Sequence, residues 1–184
     1  MKNASIFHCW AGTPEKFWYP YVKNELEKKD YSVWLPQLPD TEHPVISTQL
    51  SYVLENGKFN EDTVIIGHSS GVGLILSTLE NIDIQIHHIV LVSGFITPDG
   101  KESDNMLQPS YDWEKIKKNV KHVTVVNSDN DPWGCDDVQG RKLFDKLGGT
   151  QIILHGEGHM GSDTYNQPYK EFPLIVKLIE AYEH

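Results

Sequence analysis

Short apolar runs alternate with amphipathic stretches along all 184 residues. The runs predict strands at Ser5–Phe7, Ser32–Leu35, Thr63–Ile66, His88–Val92, Val123–Asn127 and Gln151–Leu154. Helical spacing predicts helices over Pro14–Lys29, Pro44–Leu54, Ser70–Leu79, Trp113–Asn119, Asp137–Leu147 and Phe172–Tyr182. Val64-Ile65-Ile66 and Ile89-Val90-Leu91-Val92 run without polar alternation, the habit of strands buried on both faces. Repeated β-then-α units therefore predict an α/β fold, a three-layer α/β/α sandwich around a mostly parallel sheet of about six strands. The helix from Asp137 should stop at Leu147-Gly148-Gly149. No repeat or linker divides the chain, so residues 1–184 are expected to form a single domain. Two irregular stretches, Pro36–His43 and Gly94–Asp112, follow strands and should emerge at one sheet edge. There they wall a pocket or form a rudimentary lid, or serve as plain surface loops.

Charge and cysteine usage narrow the function. A net charge of -10 argues against a nucleic-acid partner. Lys117, Lys118 and Lys121 form the notable basic cluster and fit a solvated helix end. No apolar stretch approaches a membrane span, and the first residues lack a signal-peptide pattern. Cys9 and Cys135 form no spaced framework, which makes a reducing cytoplasm the expected location. Cys9 reads as a small, partly buried filler.

The chemistry concentrates at Gly67-His68-Ser69-Ser70-Gly71, between the run Thr63–Ile66 and a helical stretch. A G-x-S-x-G between buried strand and helix is a nucleophile elbow. The turn strains the serine backbone, and small neighbours let strand and helix touch. Ser69 is then the nucleophile, poised above a helix start that favours negative charge. A serine hydroxyl needs a base titrating near neutral pH, which points to histidine. Of nine histidines, His159 stands out in Gly156-Glu157-Gly158-His159-Met160-Gly161, just past the last strand. His87 and His88 read as turn residues before a strand, and His8 and His68 as structural neighbours of the site. The base in turn needs an acid to fix its tautomer. Asp131, stiffened by Pro132, is favoured over Asp129, which sits mid-turn where side-chain-to-backbone bonding is common. The order Ser69, Asp131, His159 is that of α/β-hydrolases. Oxyanion donors are expected from Ser70 N–H and from the loop after the first strand, with Trp10 N–H chosen and Cys9 N–H as the alternative. A metal site built from His155, Glu157 and His159 is disfavoured, because Gly156 and Gly158 interrupt the helix that spacing would need. No cofactor motif is present in the sequence.

These residues resemble the small serine hydrolases of the YdeN and retinoblastoma-binding protein 9 type, within the α/β-hydrolase superfamily. Trp18-Tyr19-Pro20, Leu35-Pro36, Leu38-Pro39, the elbow, Tyr111-Asp112-Trp113, Asn130-Asp131-Pro132-Trp133 and Gly158-His159 carry the likeness along nearly the whole chain. The resemblance implies Ser69, Asp131 and His159 as nucleophile, acid and base. Two departures stand out: His8-Cys9 where the family usually has His-Gly, and Gly134-Cys135 where it tends to carry a proline after the acid. The resulting expectation is a cytoplasmic serine hydrolase acting on a small-molecule carboxylic ester. The alternatives are a thioesterase, amidase or acyltransferase with the same triad, or a protein-interaction module. Trp10, Trp18, Phe95, Trp133 and Met160 are candidates for an apolar acyl pocket, with core packing the alternative for each. Few residues remain for a cap domain, so an open site for small or medium acyl chains is expected.

Overall fold

A computed structural model describes residues 1–183. The chain folds in the order β1 (Asn3–Phe7), α1 (Tyr19–Glu27), β2 (Ser32–Trp34), α2 (Ile46–Asn56), β3 (Thr63–His68) and α3 (Ser70–Asn81). There follow β4 (Ile86–Val92), a 3-10 turn (Glu102–Met106), α4 (Trp113–Lys118), β5 (Val120–Ser128), α5 (Asp137–Leu147), β6 (Thr150–Leu154) and α6 (Pro173–Glu180). All six strands form one sheet in the order β2-β1-β3-β4-β5-β6, and every neighbouring pair is parallel.

Alternate residues of the central strands feed two cores. Ile65, Ile89, Leu91 and Val125 face the layer of α2, α3, α4 and α5. Val64, Ile66, Val90, Val92 and Val126 face α1 and α6. A helix layer on each face explains why these strands are apolar throughout. Most buried of the helices is α3, with Ser70 through Leu79 all buried.

Several boundaries differ from the periodicity. Helix α1 begins at Tyr19, not Pro14, because Pro20 must lie in a first turn. The residues before it form turns, with Phe17 at φ 50° and Trp18 fully buried. His87 and His88 belong to β4 rather than to a turn. His88 is buried against Thr124 Oγ1 of β5 at 2.8 Å, and His87 Nε2 bonds the Tyr182 carbonyl at 2.9 Å. The stretch after β4 is not featureless: its 3-10 turn sends Met106 and Leu107 into the interior. No helix among the described residues is long and apolar enough to cross a membrane.

The sheet order reverses at β1. From there the chain leaves to α1 on one face, while from β3 it leaves to α3 on the other. Such a switch point opens a crevice at the carboxyl ends of the strands. The loop after β1 and the elbow after β3 both meet there.

Candidate active site

Ser69 occupies that crevice at φ 55° and ψ -116°, a backbone region that L residues rarely adopt. Its N–H is held by the Val92 carbonyl at 2.8 Å. The strain persists because strand and helix leave no alternative. A Cβ at Gly71 would lie 2.4 Å from the Phe7 carbonyl oxygen, so only glycine lets α3 rest on the end of β1.

His159 arrives on the loop after β6. Its Nδ1 lies 2.8 Å from Asp131 Oδ2, with both side chains almost wholly removed from solvent. The other Asp131 oxygen accepts the Trp133 N–H at 2.9 Å. A carboxylate is an acceptor, so Nδ1 carries the proton and Nε2 is left with a free lone pair. Asp129 is engaged elsewhere: it accepts from Gly156 N–H and pairs with the exposed His155. That pairing also takes His155 away from any joint site with Glu157 and His159.

The backbone of His159 is anchored from three sides. Gln167 Oε1 accepts the His159 N–H at 2.9 Å, while Ser93 Oγ and His68 Nε2 donate to its carbonyl at 3.1 and 2.8 Å. Gly158 lies at φ 59° with the Gln167 amide where a Cβ would stand, so its glycine is required.

His68 links this loop to the opposite wall. Since Nε2–H donates, Nδ1 is the acceptor, and Tyr19 Oη–H donates to it at 2.7 Å. Tyr19 Oη in turn accepts the Cys9 N–H at 3.2 Å. Burial holds the His68 pKa well below the usual histidine value, so the ring stays neutral. Burial likewise raises the Tyr19 hydroxyl well above its ordinary range and the Cys9 thiol to about 11. Neighbouring His8 accepts the Leu38 N–H at Nε2 and donates from Nδ1 to the Cys9 carbonyl, and burial lowers its pKa too.

With the Cys9 N–H committed to Tyr19, the N–H groups of Trp10 and Ser70 remain without an intramolecular partner among the described residues. Both residues line the same cavity as Ser69 and His159, of about 560 Å³. Phe95 and Trp133 also line it. Trp18 and Met160 do not: both are fully buried, with Trp18 Nε1 bonded to the Met160 carbonyl at 2.9 Å. Their apolar character serves packing against α6, which residue type alone does not distinguish from a pocket wall. The Gly94–Asp112 stretch supplies a wall through Phe95, Thr97 and Lys101. The Pro36–His43 stretch stays outside the cavity and braces the loop after β1, through Thr41 O to Ala11 N–H and Glu42 O to Trp10 Nε1.

Two site neighbours stood out in the sequence only through the family likeness, which gave them no role. Cys135 places its thiol against Ser69 and within 4.8 Å of the Asp131 and His159 ligand atoms. Burial raises its pKa, which leaves it an inert thiol. Tyr19 entered as part of the Trp18-Tyr19-Pro20 motif and a predicted helix; contact with His68 shows its place.

Comparison with known proteins then decides the family. A serine hydrolase family model matches residues 4–180. The chain belongs to that family. This hydrolase is 29% identical over 189 residues to YdeN of Bacillus subtilis (strain 168), covering 98% of the chain and 96% of the relative. It is 29% identical over 164 residues to the serine hydrolase RBBP9 of Rattus norvegicus, covering 87% and 84%. The crystal structure of the B. subtilis ydeN gene product superposes with TM-score 0.88 at 24% identity, covering 99% of this hydrolase and 98% of that chain. Est1E from Butyrivibrio proteoclasticus, solved with ferulic acid bound, shares the fold at TM-score 0.72 and 14% identity, covering 99% and 88%.

Proposed function

We propose that this serine hydrolase cleaves carboxylic esters of small and medium acyl groups, with Ser69, His159 and Asp131 as nucleophile, base and acid. The observation that carries the reading is the 2.8 Å bond from His159 Nδ1 to buried Asp131, in a cavity that His159 shares with Ser69. That bond leaves Nε2 as the base.

The Ser69 hydroxyl proton passes to His159 Nε2 as Oγ bonds to the ester carbonyl carbon. The carbonyl π electrons move onto oxygen, and the Trp10 and Ser70 N–H groups receive that charge. Asp131 stabilises the imidazolium. The carbon–alkoxide bond then breaks, the alkoxide takes the His159 proton, and the acyl group stays on Oγ. Water repeats the sequence: His159 removes its proton, hydroxide bonds to the acyl carbon, and Oγ leaves with the proton. The acid departs and Ser69 is restored. A cavity of this volume admits a compact ligand, and among the described residues no cap is inserted above it.

Labelling with a fluorophosphonate tests the assignment. Wild type should label and Ser69→Ala should not; labelling that persists in Ser69→Ala defeats it. Asp131→Asn should lose roughly 10³–10⁴ in kcat, because an amide no longer fixes the productive tautomer, whereas Asp129→Asn should stay within a few-fold. With p-nitrophenyl esters, an optimum at long acyl chains would contradict the size class.

A further inference from the structure

The departing alcohol takes its proton from His159, so it leaves across the side of the cavity that His159 and its neighbours build. That side carries Trp133, 38% exposed at the cavity rim. The indole is held rather than loose. Its Nε1 donates to Ser162 Oγ at 3.2 Å, and Tyr165 packs edge-on at 5.2 Å and 81°. Its backbone N–H is fixed on Asp131, and its ring lies 6.4 Å from the His159 ring.

Phe95 and Cys135 also line the cavity, both buried, with the Cys135 thiol against Ser69. Charged groups at the rim are already paired: Lys16 with Asp163, Lys101 with Asp99, and Glu102 with His43. On the His159 side the exposed indole of Trp133 offers an incoming substrate a flat, pre-oriented apolar surface, whereas Phe17 of the same lining is buried.

We infer that Trp133 is the stacking platform for a flat ring on the alcohol portion of the substrate, which makes the preferred substrates esters of aryl or arylmethyl alcohols. The inference rests on the ester-hydrolase reading and goes beyond it in assigning the leaving-group side. A ring already held by two backbone and side-chain bonds and an aromatic neighbour surrenders little freedom when a second ring stacks on it. Offset stacking adds to the area buried.

Benzyl, 2-naphthylmethyl and cyclohexylmethyl acetates share one acyl group and have alcohols of similar basicity, so ratios of kcat/KM among them read the ring site. Wild type should favour the two aromatic esters over the cyclohexylmethyl ester by about five- to tenfold, the worth of one stacked pair. Trp133→Leu should bring the ratio near one, and Trp133→Phe should keep most of it. A ratio taken within one variant does not depend on how much of that variant folds. A wild-type ratio near one, or a preference that survives Trp133→Leu, overturns the inference. So does a Trp133→Leu variant that shifts the acyl-chain optimum and leaves the ring ratio intact, since that places the indole on the acyl side. Labelling of Ser69 separates the two levels: labelling with no ring preference removes the platform alone, while absent labelling removes the catalytic assignment and the platform with it.

Discussion

Gly71→Ala tests how closely the elbow is seated on the first strand. On the native backbone the new methyl would stand 2.4 Å from the Phe7 carbonyl oxygen, 3.0 Å from its carbon and 3.1 Å from the His8 oxygen. Ordinary contact starts at 3.4 Å, so α3 and the end of β1 must part by about 1 Å. Neither side yields easily, since β1 is paired on both edges and α3 is enclosed along its buried length. Overpacking of this kind costs about 1–3 kcal/mol, or roughly 3–10 °C in Tm for a chain of this size. The displacement also matters for rate. Phe7 and His8 lead directly to Trp10, and Gly71 follows Ser70, so the gap widens between the two proposed oxyanion donors. A misplacement of about 1 Å costs around a hundredfold, comparable to losing one donor. Thermal melts by circular dichroism, run beside fluorophosphonate labelling rates at 25 °C, measure both effects. A variant within about 1 °C and twofold of wild type would refute the seating argument. Early melting with a wild-type labelling rate would refute the link to the oxyanion donors.

Tyr19→Phe should strand the buried Cys9 N–H and His68 Nδ1 together, at about 1–3 kcal/mol for each group left unpaired. Urea melts should show that loss, and kcat should fall more than KM rises, because the proposed base His159 and the loop after β1 lose their shared brace. Acid should destabilise the fold through its buried neutral imidazoles. The His88 pKa is pushed down to about 3 by burial, so below pH 6.5 the unfolded chain takes up a proton that the native state refuses. Stability therefore falls as pH drops from 6.5 toward 3, at roughly 1.4 kcal/mol per pH unit for that one group. His88→Gln keeps a partner for Thr124 and does not titrate. The stability gap between pH 7 and pH 5 should shrink in it by about 2 kcal/mol, and an unchanged gap in urea melts would count against the assignment.

The sheet was legible because its strands are buried on both faces, which turns Val64–Ile66 and Ile89–Val92 into unbroken apolar runs. The elbow and the loops bearing Asp131 and His159 were legible for a different reason: backbone constraint restricts residue type to glycine, serine and proline at fixed spacing. Pro20 carried a usable signal for the start of α1, since a proline belongs in the first turn, and the apolar periodicity upstream masked it. Trp18 and Met160 were misplaced as pocket walls because apolar identity does not say which of two apolar environments a side chain enters. His88 was hidden in another way: a polar type sits in a fully buried strand position, its Nε2 bonded to a neighbour 36 residues away and its Nδ1 left without a partner. The Tyr19–His68–His159 chain was beyond reach, since each of its bonds joins residues far apart in sequence.

The helix that Ser69 caps is also the most buried helix of the molecule. Amide protons along its middle should exchange with solvent only through global opening, whereas those of the rim segments exchange by local fraying. The contorted serine is thus guarded by a helix whose middle opens only with the fold as a whole. Heat should abolish turnover and structure in a single event, with no inactive yet folded species in between.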